Sequence, residues 1–460
     1  MPANTDVPHY SAAVSTLGNL IASSAQVLNG AADDYDALLA LIGDARFVLL
    51  GESSHGTHEF YRERARITQR LIVEKGFSGV AVEADWPDAY RVNRYVRQLA
   101  GEPGDVTAKE ALSGFTRFPS WMWRNTEVAE FVEWLRLYND SRSGRQSKAG
   151  FYGLDLYSLF TSMEEVLKYL DAVDPEAARR ARDRYACFDH FNRDSQSYGY
   201  AAGLRLSPSC EQAVLAQLTD LNARAPAYLR DDDPYALDAL FYAQQNAHLV
   251  IHAEEYYRSM FRGRVSSWNL RDRHMAETLA ALDRHLSYVE AQPAKLVVWA
   301  HNSHIGDARA TEIGQQGELN LGQLARQQYG KQAVLIGLST YTGSVTASSD
   351  WDAPAEYKHV RPALADSYEE ALHAAGISRF MLPLGAQDAL RTALSQRRLE
   401  RAIGVIYRPE TERQSHYFYA SLAHQFDAIL HFDVTRAVKP LETVSVLSSG
   451  EAPETFPVGI

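Results

Sequence analysis

Arg46-Phe-Val-Leu-Leu-Gly-Glu-Ser-Ser-His-Gly-Thr-His-Glu-Phe60 is the stretch from which the fold can be argued. Residues 47–50 form a short apolar run, which is typical of a strand buried on both faces of a sheet. Glu52 and His55 follow directly, before a helical pattern that begins near Thr57. Open α/β sheets place ligands and reacting groups at the carboxyl ends of their strands. The stretch therefore predicts a strand that delivers a carboxylate and an imidazole to a site.

The helix after this strand carries a charged residue on its apolar face. The apolar positions recur at helical spacing, at Phe60, Ile67 and Leu71. Arg64 falls on the same stripe, and a buried guanidinium without a carboxylate partner is too costly to keep. We therefore expect Arg64 to pair with an acid, with Glu52 and Glu83 as the candidates.

The composition bounds the class of protein. The chain has 460 residues, of which 46% are hydrophobic and 23% are charged, as in ordinary globular proteins. A formal net charge of −12 argues against a nucleic-acid partner. The two cysteines, Cys187 and Cys210, do not make a disulfide scaffold, and their spacing suits neither a zinc knuckle nor a redox pair. No secretory signal and no apolar run of membrane-spanning length is visible, so we expect a cytoplasmic protein without a membrane partner.

Three further apolar runs repeat the pattern of the first. Gly79–Glu83 and Gly150–Asp155 each end in an acid, and Lys295–Ala300 is followed by His301 and His304. More strands are predicted at Ala333–Leu338, Arg379–Leu382, Ala402–Tyr407 and Ala428–Phe432. Strands that alternate with helices predict an α/β fold with a mainly parallel central sheet covered by helices.

The spacing of these runs also divides the chain. Residues 156–289 are almost wholly helical in pattern, which predicts a large α-helical insertion. Residues 1–155 and 290–460 would then form the α/β catalytic core. Two helices are expected before the first strand, at Ala12–Leu28 and Asp34–Ile42, and a long loop at Gly101–Ser120.

Four strand ends thus present a set of polar side chains: Glu52 with His55, Glu83, Asp155, and His301 with His304. In a parallel sheet these ends share one edge, so the side chains can converge on one site. Each residue alone has a simpler explanation, because a lone histidine is often a hydrogen-bonding residue and an acid after a strand often caps a helix. The joint pattern favours a shared site.

The chemistry open to these residues is limited. A Gly-x-Ser-x-Gly elbow, a cysteine beside a histidine motif and a phosphate-binding glycine loop are all missing, so we expect no cofactor. Histidine with carboxylates can activate a water molecule as a general base, or it can bind a divalent metal. Asp272 lies on the apolar stripe of a later helix, where it is either an outer partner of the site or half of a structural ion pair.

Several motifs resemble the erythromycin esterase family. They are Glu52-Ser-Ser-His55-Gly-Thr-His-Glu-Phe, Glu83-Ala-Asp-Trp-Pro and Trp299-Ala-His301-Asn-Ser-His304, with Gly404-Val-Ile-Tyr-Arg-Pro and Gln425-Phe-Asp-Ala-Ile-Leu near the C-terminal end. The resemblance spans about residues 47–441. It implies hydrolysis of a carboxylic ester, which in the named members is the macrolactone of erythromycin-type antibiotics, in a deep cleft between an α/β core and a helical part.

The resemblance also assigns roles to individual residues. His55 is the general base that activates water, and the residues around it are Glu52, Arg64, Glu83, His301 and His304. Asp155 and Asp272 are expected behind them, and the partner is a small ester or macrolide. Four aromatic residues in the Gly101–Trp123 region either line a pocket for such a ligand or belong to the core: Phe115, Phe118, Trp121 and Trp123.

Two other functions stay open at this point. The first is a metal-dependent hydrolase that uses the same histidines and carboxylates as ligands. The second is a non-catalytic protein that binds haem or another ligand, since distant relatives of the fold resemble iron-uptake proteins. The sequence does not determine the substrate or the oligomeric state.

Overall fold

The computed structural model describes residues 7–99, 104–142, 148–229 and 235–442. Its strands are β1 (Gln26–Val27), β2 (Phe47–Leu50), β3 (Gly79–Asp85), β4 (Gly150–Asp155), β5 (Leu296–Trp299), β6 (Ala333–Ala347), β7 (Glu356–Val360), β8 (Arg379–Pro383), β9 (Arg398–Arg401), β10 (Tyr417–Ala420) and β11 (Ala428–Thr435).

The helices of the first half of the chain are α1 (Val7–Ser24), α2 (Asp36–Ile42), α3 (His58–Lys75), α4 (Trp86–Arg97), α5 (Ala108–Ala111), α6 (Thr126–Asp140), α7 (Leu159–Val173), α8 (Pro175–Tyr185), α9 (Ser195–Gly203) and α10 (Glu211–Tyr228). Those of the second half are α11 (Ala236–Ser259), α12 (Arg264–Glu290), α13 (Asn302–Ile305), α14 (Glu312–Gln315), α15 (Leu321–Tyr329), α16 (Tyr368–His373), α17 (Asp388–Leu394), α18 (Glu412–Ser415) and α19 (Leu422–Gln425). None of these helices, within the described ranges, is long and apolar enough to cross a bilayer.

The central sheet has the strand order β1-β8-β11-β6-β2-β5-β3-β4, and β7 pairs with β6. The pairs from β11 through to β4 are parallel, whereas β1, β7 and β8 pair in the antiparallel sense. A small separate sheet joins β9 to β10. The predicted fold class, an α/β protein with a mainly parallel sheet covered by helices, is confirmed.

Consecutive residues of the central strands pack into opposite layers. In β2, Phe47 and Leu49 join one hydrophobic layer, and Val48 and Leu50 join the other. The first layer contains apolar residues of α7, α11 and α12, and the second contains those of α3 and α6. Because both faces are covered, the strand is apolar at every position instead of alternating with polar residues.

The segment between β4 and β5 contains helices and 3₁₀ turns, with no strand among its described residues. The α11 helix is central to this segment and contacts α7, α9, α10 and α12. The α12 helix also contacts β4, so it reaches the carboxyl edge of the sheet. The assignment of 156–289 as an insertion into a core formed by 1–155 and 290–460 stays a prediction.

Two strand predictions need correction. Residues 402–407 do not form a strand: β9 ends at Arg401, and the residues after it run beside the loop that follows β2. There the Ile403 N–H donates to the Ser53 carbonyl at 2.8 Å, and the His55 N–H donates to the Ile403 carbonyl at 3.0 Å. Pairing with a loop gives isolated bridges, not a ladder. The β6 strand, in contrast, continues to Ala347, nine residues beyond its predicted end at Leu338, because β11 and β7 pair with the added part.

The helix predictions hold in type and differ in their bounds. The first helix ends at Ser24, and the second begins at Asp36. Inside the predicted Gly101–Ser120 loop, whose residues 101–103 lie outside the described ranges, the structure has α5. A capping box explains this helix, since the Glu110 N–H donates to the Thr107 side chain and the Glu110 side chain accepts from the Thr107 N–H. The Thr-x-x-Glu spacing was the sequence signal for it.

A disulfide joins Cys187 to Cys210. It connects the 3₁₀ turn after α8 to the residue before α10, across a separation of 23 residues. This pairing was not predictable from the spacing of the two cysteines, because it depends on how the intervening helix folds back. Disulfides persist mainly in oxidising compartments, so a cytoplasmic location stays a prediction.

We predict that Gly153→Ala lowers the free energy of unfolding. Gly153 lies on β4, where an added Cβ would lie 2.6 Å from the backbone oxygens of Ala84 and Asp85 on β3. Backbone atoms cannot move easily, so overpacking should lower the free energy of unfolding by about 1–3 kcal/mol, as measured by urea unfolding. Gly385→Ala is the control, because an added Cβ there has no atom within 4 Å. Equal losses in the two variants would contradict this reading of the strand contact.

Candidate active site

His55 is held at the carboxyl end of β2 by a buried carboxylate. Its Nδ1 lies 2.9 Å from Glu52 Oε1, and its ring is 6% exposed. The second oxygen of Glu52, Oε2, accepts a hydrogen bond from Arg64 at 3.0 Å. Since Glu52 occupies Nδ1, the Nε2 atom of His55 is the one left for other contacts.

Arg64 is fully buried behind this pair, as its position on the apolar stripe of α3 predicted. Its partner is Glu52, which the sequence had named as one of two candidates. The guanidinium also lies over the ring of Tyr61 at 4.5 Å and over that of Trp299 at 5.2 Å. A charge buried this deeply is tolerated because an opposite charge and aromatic faces surround it.

Glu83, at the end of β3, connects three other groups. Its Oε2 accepts a hydrogen bond from the His301 backbone N–H at 2.8 Å, and its Oε1 lies 2.7 Å from Arg271 and 3.3 Å from Nε2 of His304. Burial alone would raise the pKa of Glu83, but the charges of His304 and Arg271 outweigh it and hold that pKa well below its usual range. Glu83 is therefore a fixed anion.

His301 lies next to His55 and caps the short helix α13. The two rings have their centroids 4.8 Å apart. Nδ1 of His301 accepts a hydrogen bond from the Ser303 N–H at 3.2 Å, so in a neutral ring the proton is on Nε2. Burial and the neighbouring His55 hold the pKa of His301 well below its usual value. The ring is thus a neutral hydrogen-bond donor.

Arg271, from α12, is the residue that joins the helical segment to the sheet edge. It donates to Glu83 and Asp155, each at 2.7 Å, and its NH1 lies 3.2 Å from Nε2 of His304. A second bond from Nε to Asp155, at 3.0 Å, makes that pair bidentate. Asp155 also accepts from the N–H of Leu156 at 2.9 Å, but it caps no helix, because α7 begins only at Leu159 with Ser158 as its N-cap.

His304 is enclosed by two carboxylates and an indole. Its Nδ1 lies 2.9 Å from Asp272, and its ring stacks on Trp268 with centroids 4.4 Å apart. Burial opposes protonation, but the Asp272 and Glu83 carboxylates outweigh it and raise the pKa of His304. The raised pKa extends the pH range over which the ring is protonated, and its positive charge then offsets the neighbouring Glu83 and Asp272 carboxylates.

A cavity of about 430 Å³ opens in front of these residues. Its lining includes the following side chains of the charged cluster: His55, Glu83, Asp155, Arg271, His301 and His304. Glu52, Arg64 and Asp272 do not line it and lie behind His55 or His304 instead. The structure therefore brings all eight sequence-predicted residues together in two layers, one at the cavity and one behind it.

The aromatic residues of the 115–123 region divide between the two predicted roles. Phe115, Phe118 and Trp123 line the cavity, together with Tyr157, Trp268 and Trp351. Trp121 does not line it; its ring packs close to Gly56, where a Cβ would come within 2.8 Å. The cavity is thus lined by aromatic side chains as well as by the charged cluster.

The sequence analysis missed Arg271 and Trp268, which contribute to the cavity from α12. Arg271 directly precedes Asp272, a residue that was identified from its place on the apolar stripe. An arginine beside a predicted buried acid was the available signal. It was weak, because nothing local indicates that this helix reaches the ends of β3 and β4.

The histidines and carboxylates at the cavity are not grouped as metal ligands, whereas three other histidines are. In the described part of the chain, the group of side chains placed to bind a metal ion is His248, His252 and His274, on α11 and α12, whose donor atoms lie within 4.8 Å of one another. At the cavity, the Arg271 guanidinium lies between the carboxylates of Glu83 and Asp155, where it opposes a cation.

Comparison with known proteins adds three findings. A family model described as erythromycin esterase matches residues 72–435. The erythromycin esterase type II of Escherichia coli is 25% identical over 328 residues, which are 68% of this chain and 74% of that protein. The matched range of the family model begins after Glu52, His55 and Arg64, so the case for those three residues rests on their geometry.

Two solved structures share the fold. A protein from Bacillus cereus superposes with a TM-score of 0.74 at 20% identity, over 96% of this chain and all of that one. An erythromycin esterase mutant in its open conformation superposes with a TM-score of 0.62 at 17% identity, over 89% of this chain and 95% of that one.

We predict that Arg271→Met strongly destabilises the protein. The variant keeps the length of the side chain but leaves the buried Glu83 and Asp155 without their cation, a loss that typically costs about 3–5 kcal/mol. Urea unfolding measures it. Arg179→Met is the matched control, since Arg179 and its partner Glu176 are both about 70% exposed, and it should change stability by less than about 0.5 kcal/mol. A loss below 1 kcal/mol for Arg271→Met, judged against that range, would refute the role of the guanidinium.

We also predict a pH dependence of stability that comes from His304. Its pKa is raised in the folded protein, so its stabilising effect is complete below the unfolded value of about 6.5 and is lost as the pH rises through the folded value. The difference in unfolding free energy between wild type and His304→Gln should therefore shrink as the pH increases from 6 to 9. His359→Gln, at an exposed histidine, serves as the control. A difference that grows with pH would contradict the assignment.

Proposed function

The chain belongs to the erythromycin esterase family, and we propose that this hydrolase opens a carboxylic ester or macrolactone with a water molecule activated by His55. The observation that carries the proposal is the orientation of His55. Its Nδ1 is engaged by Glu52, which Arg64 fixes in turn, and the ring lines the cavity. This leaves Nε2 as the atom that can take a proton from water.

The Glu52–Arg64 pair makes His55 a better base in two ways. The carboxylate holds the ring in the tautomer whose Nε2 is unprotonated, and it stabilises the imidazolium that forms as water attacks. Arg64, fully buried, keeps Glu52 in place through their ion pair. We therefore assign both residues to the positioning of His55, and not to direct contact with the substrate.

Three other residues that line the cavity can stabilise the negative charge that forms on the ester carbonyl oxygen. Attack by water gives a tetrahedral intermediate with a negative oxygen, which fixed donors and cations stabilise. Arg271, His301 and His304 line the same cavity as His55 and offer a guanidinium, a neutral imidazole N–H and a protonated ring. We propose that the intermediate forms among these three groups.

His55 both accepts the proton from water and later returns it to the leaving group, so the reaction consumes no other acid or base. Water gives its proton to Nε2 and forms the new C–O bond to the carbonyl carbon. As the intermediate collapses, the bond to the alcohol oxygen breaks and the imidazolium returns the proton to the leaving alkoxide. The products are a carboxylic acid and an alcohol, which remain one molecule when the substrate is a lactone.

Ser303 is a competing nucleophile to consider, because it lines the cavity and its Oγ lies 2.8 Å from Nδ1 of His301. The contact is local, however, since the two residues share the start of α13. A serine nucleophile needs a base oriented by a further group, and His301 caps its own helix instead. We therefore assign Ser303 to that cap.

The aromatic side chains that line the cavity support a bulky apolar substrate. Large ring systems bury apolar surface when they pack against aromatic rings such as those of Phe118, Trp123 and Trp351. A macrolide fits this description, and the relative from Escherichia coli is named as an esterase of that class. We propose macrolides as the first substrates to test, with other bulky esters as the alternative.

The experiment combines a substrate panel with one variant. We expect purified protein to add 18 mass units, one water molecule, to a macrolide or bulky lactone or to hydrolyse a bulky ester. His55→Asn should retain the fold and substrate binding but lower kcat about 10²–10⁴-fold, the usual effect of losing a general base. The product formed in ¹⁸O-labelled water should carry the label in a single turnover, as direct water attack requires.

Two controls decide between the alternatives. His58→Asn changes a neighbouring histidine that hydrogen-bonds Glu127 and does not line the cavity, so its kcat should stay near wild type. Ser303→Ala should do the same, and a loss as large as that of His55→Asn would replace water with a serine nucleophile. Macrolide or haem binding without any turnover of the panel would favour the binding-protein alternative over hydrolysis.

A further inference from the structure

A cluster of histidines lies on α11 and α12, and none of its members lines the active-site cavity. His248 and His252 are four residues apart on α11, so they share one face of that helix. His274 and Glu277 are three residues apart on α12, which packs against α11. The four side chains meet between the two helices.

We propose that His248, His252, His274 and Glu277 form a binding site for a divalent transition-metal ion of the zinc class. The donor atoms of the three histidines lie within 4.8 Å of one another. Glu277 lies beside the cluster, with an oxygen 3.4 Å from Nε2 of His248 and 3.8 Å from Nε2 of His252. Because His252 faces His274 through its other nitrogen, Nδ1, its ring has to turn before all four groups reach one ion. Three imidazoles and one carboxylate are a ligand set that zinc, cobalt and nickel accept.

The distances suit such an ion after small side-chain shifts. Zinc binds imidazole nitrogens at about 2.0–2.1 Å, so two ligand atoms of a tetrahedral site lie roughly 3.3 Å apart. Nδ1 of His252 and Nδ1 of His274 lie 2.9 Å apart, slightly closer than this. Side-chain rotations that open this pair by about 0.4 Å and draw the other donor atoms, which lie within 4.8 Å of one another, closer together would enclose the ion.

The surroundings of His274 are those of an oriented ligand. Its ring is buried and makes a further hydrogen bond to the backbone of Asp155, and contacts of this kind fix the rings of metal-binding histidines. His248, His252 and Glu277 are partly exposed, which leaves the ion a path from solvent.

A metal ion bound at this site would restrain the position of α12 relative to α11. Arg271 and Asp272 lie on the turn of α12 just before His274, so an ion that joins α12 to α11 also restrains the turn that carries them. The role we assign to the metal is therefore to hold two helices together, and it takes no part in the hydrolysis proposed above. The two ideas can be tested separately.

The test uses untagged protein that has been dialysed against a chelator, titrated with Co²⁺ and followed by its visible absorption. We expect one equivalent of Co²⁺ per chain to give the intense bands of a four- or five-coordinate ion, and Zn²⁺ to displace it. His252→Gln should weaken binding by at least about 100-fold, since loss of an outer-shell partner alone costs 10–100-fold. Zn²⁺ should raise the Tm of wild type and leave that of His252→Gln unchanged.

The controls separate this site from the cavity. His55→Asn and His304→Gln should each still bind one equivalent of Co²⁺, because neither residue belongs to the cluster. His248→Gln, at a partly exposed position, repeats the test if His252→Gln does not fold. Absence of Co²⁺ binding in wild type, or binding that survives both His248→Gln and His252→Gln and is lost in His55→Asn, would overturn the proposal.

Discussion

The ion pairs of Arg271 with Glu83 and Asp155 are the constraint on which the rest of the site depends. The carboxylates stand at the ends of two neighbouring parallel strands, and the guanidinium comes from a helix more than a hundred residues further along the chain. Two like charges at adjacent strand ends repel each other, so the sheet edge is stable only when a cation from outside the sheet lies between them. Docking of α12 against the sheet is therefore an electrostatic requirement as well as a hydrophobic one.

A second set of buried charges, Arg64 with Glu52, holds His55 in a similar way. Arg64 neutralises Glu52, and Glu52 orients His55. In both sets, the group at the cavity is held by a partner that is buried behind it. Such groups need little reorganisation during a reaction, because their positions are set by folding and not by the arrival of substrate.

The sequence predicted those parts of the site that depend on local pattern. Apolar runs located β2, β3, β4 and β5, and the parallel arrangement that they implied placed Glu52, Glu83, Asp155 and His301 at one edge. Arg64 could be paired with Glu52 because a charge on an apolar stripe demands a partner nearby. The sequence could not predict Arg271, whose role appears only once a distant helix lies across the sheet. The same limit applies to residues 402–407, which pair with a loop, and to the Cys187–Cys210 disulfide.

The α12 helix shows how one element can carry two sites without mixing them. Arg271 reaches Glu83 and Asp155 at the sheet edge and Asp272 contacts His304. His274 and Glu277, one turn on, contact the histidines of α11 instead. A rotation of α12 that displaced His274 from His252 would also move the Arg271 guanidinium away from Glu83 and Asp155. The packing of α12 against α11 therefore bears on the cavity even though His248 and His252 lie outside it. Position along a helix separates the chemistry of the two sites, while the rigidity of the helix couples their geometry.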